Sequence, residues 1–347
     1  MITFEDREGW NSIIDSFRNK DIYYLYDYVY PYFLHGDGEP LLIEYTDSEA
    51  HFCYPVMRSD ISCCEKFGGR LEKGRYFDLE TPYGYGGPLS DSTVSAASQR
   101  NFLLELTEYC RSEGIVSQFV RFHPLLRNEL LLPEAIETRY MRDTIYIDTS
   151  SLEVIMSNMD SKNRNMIRKA KKNGVTAECR PLSEYPDFMS IYKETMDRNS
   201  ASGYYYFREE YFEYQSRLEN NGCIFYAMYE GTPIAAAMIF YNEKFMHYHL
   251  AGGLTKYRSL AAGNLLLYEA ACFASEMGIS RFHLGGGIEP EDSLFGFKKQ
   301  FNKNGRLPFY IGRTVFDRES YDMLMGIRKA LDPGFDTDNG RMIQYRR

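Results

Sequence analysis

Residues 245–301 constrain the fold of this chain more than any other stretch. Residues 245–250 form a short segment that is rich in aromatic side chains, which is typical of a strand. Leu266, Ala270, Phe273 or Ala274, and Met277 then recur at helical spacing, and Gly278 follows where a helix commonly ends. Residues 279–284 indicate a second strand, and three glycines come directly after it. Such a unit places the N-terminus of the helix beside the C-terminal end of the preceding strand.

The N-terminus of this predicted helix is a candidate anion site, because backbone N–H groups there lack partners within the helix. Arg258, Ala261 and Gly263 lie at this point in the pattern Arg-x-x-Ala-x-Gly. The arrangement resembles the acyl-CoA N-acyltransferase superfamily (the GNAT fold), in which an Arg/Gln-x-x-Gly-x-Gly/Ala loop holds the pyrophosphate of the donor. The resemblance implies that Arg258 and Gly263 bind the donor, with Ala261 replacing the first glycine of the family.

The glycines 285–287 and the helix start after them carry a more specific resemblance. Gly285, Gly286 and Gly287 are followed by Leu-Phe-Gly-Phe-Lys, which ends in Phe297 and Lys298. This is similar to the closing motif of the Fem family, whose members use two tandem copies of the GNAT fold. They move amino acids from aminoacyl-tRNA onto cell-wall peptide precursors.

In that family a Phe-Lys pair holds donor or substrate in the site. The resemblance therefore implies that Phe297 and Lys298 are catalytic and that the three glycines contact substrate. Acyl transfer to an amine passes through an oxyanion, and a cation aimed at it contributes about 3–4 kcal/mol. The spacing alone would also fit a solvated pair of lysines, Lys298 and Lys299, on a helix surface.

Composition bounds the function and the number of domains. The 347 residues, 44% of them hydrophobic, are enough for two domains. A net charge of −9 argues against a general nucleic-acid binder, so we expect no DNA partner. Seven cysteines without a Cys-x-x-Cys pair suit a reducing cytoplasm, and a place near the inner membrane face would fit the resemblance. No signal peptide is predicted, and the longest apolar run, residues 233–241, is too short to span a bilayer.

The two halves of the chain predict the same order of elements, which indicates an internal duplication. A hairpin, a helix and a strand are expected at 41–57, 94–112 and 115–122, and again from residue 223 to 284. In each half, the strand predicted after the helix contains Arg-Phe-His, at 121–123 and at 281–283. The predicted fold is α/β, with two tandem GNAT-like domains of mixed sheet. Residues 1–148 would bind the acceptor and residues 149–347 the donor, with a C-terminal tail that is loose or returns to the first domain.

Candidate acceptor residues in the first half come from the same resemblance. Tyr83 and Tyr85 alternate with glycines in a loop whose rings can face a ligand, and Asp91 matches an aspartate that contacts the precursor in Fem enzymes. Asp91 or Ser92 could instead cap the helix expected near residue 94. Arg121 and His123 match a family stretch at a strand end, and an arginine can bind phosphate or carboxylate through two nitrogens. A surface ion pair and a hydrogen-bonded core histidine are the alternatives there.

Further candidates open the second half. Residues 161–172 hold six basic residues and no acid, on a predicted amphipathic helix that is similar to an Arg-rich helix of Fem-like proteins. Arg164 and Arg168 are therefore donor-binding candidates, against the alternative of a solvated helix face. Arg198 and Tyr206 match an Arg and a Tyr that line the substrate cleft in the family, and Tyr248 is a further substrate-binding candidate.

The sequence thus predicts an N-acyltransferase of the FemABX/GNAT type that acts on an amine of a cell-wall peptide or envelope glycan precursor. The donor would be aminoacyl-tRNA or acyl-CoA, with no tightly bound cofactor and no metal. One alternative is an acetyl-CoA-dependent N-acetyltransferase of polysaccharide biosynthesis. Another is a non-catalytic relative that binds glycan or peptide.

Overall fold

The computed structural model describes residues 2, 3 and 5–346, which form two compact units. Unit 1 comprises the described residues of Met1–Met141 and Phe309–Arg347, and unit 2 comprises Arg142–Pro308. The division differs from the expected one at residues 148 and 149. The C-terminal segment from Phe309 also packs into unit 1 and makes that unit discontinuous in sequence.

The described residues form the helices and strands that follow. The helices are α1 (Arg7–Asp15), α2 (Tyr26–His35), α3 (Ala96–Ser112), α4 (Leu152–Asn158), α5 (Ser161–Lys172), α6 (Tyr185–Arg198), α7 (Glu209–Gln215), α8 (Ala262–Glu276), α9 (Ser293–Lys299) and α10 (Arg318–Leu331). The strands are β1 (Ile2–Thr3), β2 (Glu39–Thr46), β3 (His51–Asp60), β4 (Phe77–Glu80), β5 (Ile115–Arg121), β6 (Glu137–Asp148), β7 (Thr176–Arg180), β8 (Gly222–Tyr229), β9 (Thr232–Tyr241), β10 (Phe245–Gly253), β11 (Arg281–Gly285) and β12 (Arg306–Val315).

The sheet of unit 1 has the strand order β1-β2-β3-β4-β5-β12. Its neighbours are antiparallel except β4 and β5, which are parallel and are joined through α3. The C-terminal tail is fixed to this sheet at Asp78 of β4, which is buried and accepts hydrogen bonds from Ser117 (2.9 Å), Tyr345 and Arg346 (2.7 Å). Residues 309–346 are therefore an integral part of unit 1.

The sheet of unit 2 repeats this pattern with the order β7-β8-β9-β10-β11-β6. Its neighbours are antiparallel except β10 and β11, which are parallel and are joined through α8. The predicted α/β fold with two tandem domains of mixed sheet is confirmed, since both units share one strand order and one pattern of directions.

The helix α8 packs its apolar side into the core of unit 2 as the spacing predicts. Leu266, Ala270 and Ala274 are buried there, whereas Met277, expected on the same side, lies past the end of the helix and is 51% exposed. Gly278 has φ +76° and ends the helix in the left-handed conformation that glycine adopts at low cost. β11 follows three residues later, beside β10.

Three expectations about local structure are wrong. Residues 26–35, in a tyrosine-rich stretch with alternating character, form the helix α2. The segment 149–220, whose apolar spacing predicts helices, contains the strand β7. The two Arg-Phe-His triplets are not equivalent, because Arg121 is the last residue of β5 and Arg281 is the first residue of β11.

Candidate active site

The parallel strands β10 and β11 of unit 2 part from each other near their C-terminal ends. Their pairing runs from Phe245 and Arg281 to His247 and His283. Each strand then has an irregular register with its other neighbour, β10 between Tyr248 and Leu250 and β11 between His283 and Gly285. Both strands continue beyond the last shared pair, so residues 248–253 and 284–285 are not paired with each other across β10 and β11. Open sheets commonly bind ligands at this end of parallel strands.

Gly285, the last residue of β11, and the two glycines after it form a tight corner. Gly285 has φ +74°. A Cβ at Gly287 would lie 2.1 Å from an oxygen of Asp292, and one at Gly286 would lie 3.0 Å from a backbone oxygen of Asp143. Arg142 holds the corner from the other side, since its guanidinium donates to the Gly287 oxygen at 2.8 Å.

Asp292 fixes the start of α9, the helix that carries Phe297 and Lys298. Its carboxylate accepts hydrogen bonds from the backbone N–H groups of Ile288 (2.7 Å), Glu289 (3.0 Å) and Phe295 (2.7 Å). Burial acts to raise the pKa of Asp292, but these hydrogen bonds outweigh it and the pKa is lowered. The carboxylate is thus occupied by backbone donors, and it serves as the N-cap that orients α9.

Lys298 points inward from α9 and is only 7% exposed. Its Nζ donates to the backbone oxygen of Gly286 at 2.7 Å and lies 5.7 Å from the centre of the Tyr248 ring. Among the described residues, Gly286 is the only hydrogen-bond acceptor of this ammonium, which has three donor hydrogens. The others remain available to an oxygen of a bound molecule. The solvated lysine pair considered from the sequence is therefore wrong for Lys298.

Burial dominates the electrostatics of this lysine. It lowers the pKa of Lys298 from 10.5 to about 8, and the negative charge of Asp292 offsets only part of the effect. Because a pKa near 8 leaves the group mostly protonated at neutral pH, the fold holds a poorly solvated positive charge beside a backbone corner. Burial also raises the pKa of Tyr248, so its ring stays neutral and presents its electron-rich face to the ammonium.

His249 lies next in sequence to Tyr248 and contacts α7. Its Nε2 is 2.8 Å from the phenol oxygen of Tyr211, and its ring packs on Phe240. Burial and the neighbouring His247 lower the pKa of His249 to about 3. The imidazole is therefore neutral at physiological pH.

The donor-binding candidates near α8 lie close to this corner. Gly263 is in the first turn of α8, and a Cβ there would approach the Phe297 ring to 4.0 Å. Ala261 is the N-cap and has φ +58°, a conformation that favours glycine. Arg258 is exposed on the short 3₁₀ segment Thr255–Leu260. The structure thus brings Gly263 to Phe297 and leaves Arg258 on the surface before α8.

The two arginines predicted on the basic helix α5 differ in their surroundings. Arg164 is half-buried and donates to the backbone oxygens of Met156 (3.2 Å) and Met159, so it secures the end of α4. Arg168 is exposed and bonds to Asn165 on its own helix. Of the pair, Arg168 alone presents its charge to solvent.

A buried amide pair between α5 and α8 was missed by sequence reasoning. Asn264 donates to the side-chain oxygen of Asn163 at 2.7 Å, and Asn163 is fully buried. The Asn163 amide nitrogen has no hydrogen-bond partner among the described residues. No sequence motif marks this pair, because the two residues are 101 positions apart.

Arg198 and Tyr206, predicted to bind substrate, lie at the C-terminal end of α6 and just after it. Arg198 donates to the Gly253 oxygen at 2.7 Å and to Thr255 at 3.1 Å, so it ties α6 to the end of β10. The Tyr206 phenol donates to Asp197 at 2.9 Å, and its ring is 36% exposed. Both side chains are ordered by neighbours and remain accessible.

The candidate residues of unit 1 lie around the loop 81–91. Tyr85 packs edge to face on Tyr23 and Phe309, and the Tyr83 backbone oxygen accepts a hydrogen bond from Tyr28. Asp91 accepts hydrogen bonds from the backbone N–H groups of residues 18 and 19, at 2.8 and 3.1 Å. The helix cap expected there is Ser95 instead, whose hydroxyl accepts from the N–H of residue 98. The capping alternative for Asp91 and Ser92 is thus wrong.

Arg121 and His123 follow each other at the end of β5 but have different environments. Arg121 donates to the Thr81 oxygen at 3.1 Å and stacks on Phe119, and its Nε is buried with no hydrogen-bond partner among the described residues. His123 is fully buried, with its Nε2 2.6 Å from Asp21. Since its Nδ1 accepts from the N–H of Leu126, the ring proton lies on Nε2 and points to the carboxylate.

Comparison with known proteins identifies the family of unit 2. Residues 158–299 match the family described as acetyltransferase (GNAT) domain. A comparison with curated proteins gave no match. The matched segment contains α5, α8, the glycine corner and Lys298.

Solved structures share the fold of the whole chain at low sequence identity. FemX is 12% identical with a TM-score of 0.67, over 91% of this chain and 98% of that one. The C-terminal domain of a putative lysylphosphatidylglycerol synthetase from Agrobacterium fabrum is 14% identical with a TM-score of 0.57, over 95% and 98%. L-PGS from Bacillus licheniformis is 13% identical with a TM-score of 0.56, over 93% and 96%.

Within the described part of the chain, every helix is too short or too polar to cross a membrane. The family match lies within unit 2, and the shared fold covers both units. The chain is therefore an acyltransferase of the GNAT fold, with an acetyltransferase (GNAT) domain at residues 158–299 and an architecture like that of FemX.

Proposed function

We propose that this chain is an N-acyltransferase that transfers an acyl or aminoacyl group to an amine of a cell-wall peptide or envelope glycan precursor. One observation carries the proposal, the buried ammonium of Lys298 beside the glycine corner at the open end of β10 and β11. A buried cation with donor hydrogens to spare suits a reaction in which negative charge develops on an oxygen.

The reaction needs no covalent enzyme intermediate. The acceptor amine attacks the carbonyl carbon of an ester or thioester, a C–N bond forms, and the carbonyl electrons move to oxygen. Lys298 donates a hydrogen bond to this oxyanion. The intermediate then collapses, the C–O or C–S bond of the donor breaks, and the departing oxygen or sulfur takes the proton that the amine nitrogen gives up, so that an alcohol or thiol leaves. Low solvation strengthens the contact, and one such donor contributes about 3–4 kcal/mol to the transition state. Orientation of the two substrates supplies much of the remainder.

Arg121 is our candidate for the acceptor group in unit 1. Its guanidinium is half-buried, is stacked on Phe119, and forms no ion pair with a carboxylate among the described residues. A phosphate or carboxylate of a precursor would satisfy the Nε that is left without a partner. We expect Arg121→Met to weaken precursor binding at least tenfold, measured by calorimetry, with Arg100→Met as the control because Arg100 forms an exposed pair with Glu134.

The donor is aminoacyl-tRNA or acyl-CoA, and α5 favours the former. Lys162, Arg168, Lys169 and Lys172 are all exposed on this helix, a concentration of positive charge in a chain of net charge −9. Phosphate contacts of this kind give an affinity that falls steeply with salt. Replacing Lys169 and Lys172 with Glu would reverse two of these charges. We expect this variant to have a lower affinity for tRNA and a weaker salt dependence of that affinity, both measured by filter binding.

A second candidate is an acetyl-CoA-dependent N-acetyltransferase of polysaccharide biosynthesis. The observation in its favour is Ala261, which adopts at φ +58° the backbone conformation suited to the glycine of the pyrophosphate loop. The loop geometry thus survives the substitution. Thermal-shift measurements with acetyl-CoA and with charged tRNA separate the two donors, because only a bound donor stabilises the folded protein.

The proposal as a whole is tested by mass spectrometry of cell-wall and capsule precursors with and without the gene. We expect precursors from cells with the gene to carry an acylated or aminoacylated amine, and precursors from cells without the gene to lack it. If neither the cell-wall precursors nor the capsule precursors differ between the two kinds of cell, the proposal that the acceptor is an envelope precursor is refuted. We place the reaction in the cytoplasm, near the inner face of the membrane, because the odd number of cysteines suits a reducing compartment.

A further inference from the structure

Two cysteines of unit 2 lie side by side on neighbouring strands. Cys179 is on β7, the terminal strand of this sheet, and Cys223 is on β8. The antiparallel register pairs Cys179 with Phe225, which is two residues beyond Cys223. Because side chains alternate between the two faces of a sheet, residues 223 and 225 point the same way, and Cys179 and Cys223 are diagonal neighbours on one face.

The two thiols are in contact and have unequal access to solvent. The two thiols are close enough to shift each other's pKa. Cys179 is exposed, whereas Cys223 is 5% exposed and belongs to the core of unit 2. The interaction between the thiols lowers the pKa of Cys179 and, together with burial, raises that of Cys223. An accessible thiol that ionises easily, next to a second thiol, is the usual arrangement of an oxidation-sensitive pair.

We infer that Cys179 and Cys223 form an oxidative modification site, in which a peroxide converts the pair to an intramolecular disulfide. This site is separate from the acyl-transfer chemistry and uses residues that the proposed function does not involve. Edge position matters here, because β7 pairs with β8 alone and can shift to bring the two sulfurs within bonding distance.

The oxidation proceeds in two steps that balance. The Cys179 thiolate attacks one oxygen of hydrogen peroxide, the O–O bond breaks, and the departing hydroxide takes a proton to become water. Cys179 is then a sulfenic acid. Cys223 loses its proton and attacks that sulfur, the S–S bond forms, the S–O bond breaks, and hydroxide leaves with the proton as a second water. The peroxide is reduced, and the two thiols are oxidised together by two electrons.

The disulfide would close a loop that contains α6, α7 and the candidate residues Arg198 and Tyr206. Cross-linking two distant positions removes conformational freedom from the unfolded chain, so oxidised protein should unfold at a higher temperature than reduced protein. It also fixes the edge strand to the sheet. Both effects should be absent when either sulfur is removed.

The test treats the full chain with hydrogen peroxide, blocks remaining thiols with iodoacetamide, and maps disulfides by mass spectrometry. We expect a linked peptide pair containing Cys179 and Cys223, lost in Cys179→Ser and kept in Cys63→Ser, since Cys63 is an exposed thiol on unit 1. In Cys223→Ser, dimedone should trap Cys179 as sulfenic acid. Cys179→Ser alters only an exposed side chain, so its unfolding temperature when reduced should match the parent, which separates loss of the disulfide from misfolding.

Any of three results would overturn the inference or its predicted effect on stability. One is peroxide treatment that oxidises Cys179 to sulfinic acid in the parent chain without any link to Cys223. Another is labelling of Cys179 and Cys63 by iodoacetamide at equal rates with no linked pair after oxidation. A rise in unfolding temperature on oxidation that persists in Cys179→Ser would likewise assign the stabilisation to other residues.

Discussion

Replacing Lys298 with Met should make the protein more stable at neutral pH and inactive. The pKa of Lys298 falls from 10.5 to about 8 on folding, mainly because the ammonium is buried. A fall of this size corresponds to a cost of about 3 kcal/mol when the protonated side chain is brought into the fold. Methionine fills a similar volume without a charge, so the variant avoids that cost.

The sign of the stability difference between Lys298→Met and the parent protein depends on pH. Between pH 8 and 10.5 the unfolded state binds more protons at this site than the folded state, so the wild-type free energy of unfolding rises with pH across that window. Below pH 8 the cost is fully present, and above 10.5 it is absent. The variant also leaves the Gly286 oxygen without its donor, which costs about 1 kcal/mol at any pH. We therefore expect Lys298→Met to be about 2 kcal/mol more stable at pH 7 and about 1 kcal/mol less stable above pH 10.5.

Urea unfolding at pH 7 and at pH 10.5, with Lys299→Met as the matched control, measures both values. Lys299 is the next residue of α9 and is half-buried, so its replacement should change stability by about 0.5 kcal/mol or less. A Lys298→Met protein that is less stable than the parent at pH 7 would refute the reasoning. It would mean that contacts in the fold offset the cost of burying the ammonium.

Three further predictions concern the charge of Lys298, the glycine corner and the attachment of the C-terminal tail. If Lys298 acts as a cation, turnover at saturating acceptor should fall as pH rises through about 8, whereas a rise in the pH–rate profile would indicate a general base. Gly287→Ala should displace the carboxylate that caps α9, lowering turnover at least tenfold and stability by about 1 kcal/mol in urea unfolding, while Gly296→Ala, with open space around its Cβ, should preserve both. Asp78→Asn should destabilise the protein by about 3 kcal/mol in the same assay, because Arg346 loses a buried carboxylate partner, and an unchanged urea midpoint would contradict this.

The order of elements from residue 245 to 301 could be predicted because each signal is local. The spacing of Leu266 and Ala270, the glycine at 278 and the apolar run before the glycine corner all act within one element and its ends. The same holds for the hairpin of β8 and β9. The duplication followed from this order, since two stretches with the same periodicities fold into sheets with the same neighbours.

The elements that were missed depend on contacts made elsewhere. In α2, tyrosines occur at almost every second position, as in a strand, but five residues on several sides of the helix are buried because the surrounding unit encloses it. β7 is short, polar and half-exposed, and it exists because it pairs with the edge of β8. Neither enclosure nor pairing is encoded in the residues of the element itself.

The candidate site shows the same division. The Phe-Lys pair was found through a family resemblance, but its burial depends on Tyr248, fifty positions earlier on β10. The roles of Asp292 and of the Asn163–Asn264 pair depend on distances that no spacing reports. Asp91 illustrates the converse, because a residue in a plausible capping position instead bonds to the backbone of residues 18 and 19.

The central claim, that the Lys298 ammonium acts on the reacting acyl group, is tested most directly in cells that lack the gene and carry a variant copy. The measurement is the amount of modified envelope precursor by mass spectrometry, with Lys298→Met and Lys299→Met expressed at equal levels. The account predicts modified precursor at the parental level with Lys299→Met and a loss of at least a hundredfold in its rate of formation with Lys298→Met. Equal amounts of modified precursor from both variants would contradict it.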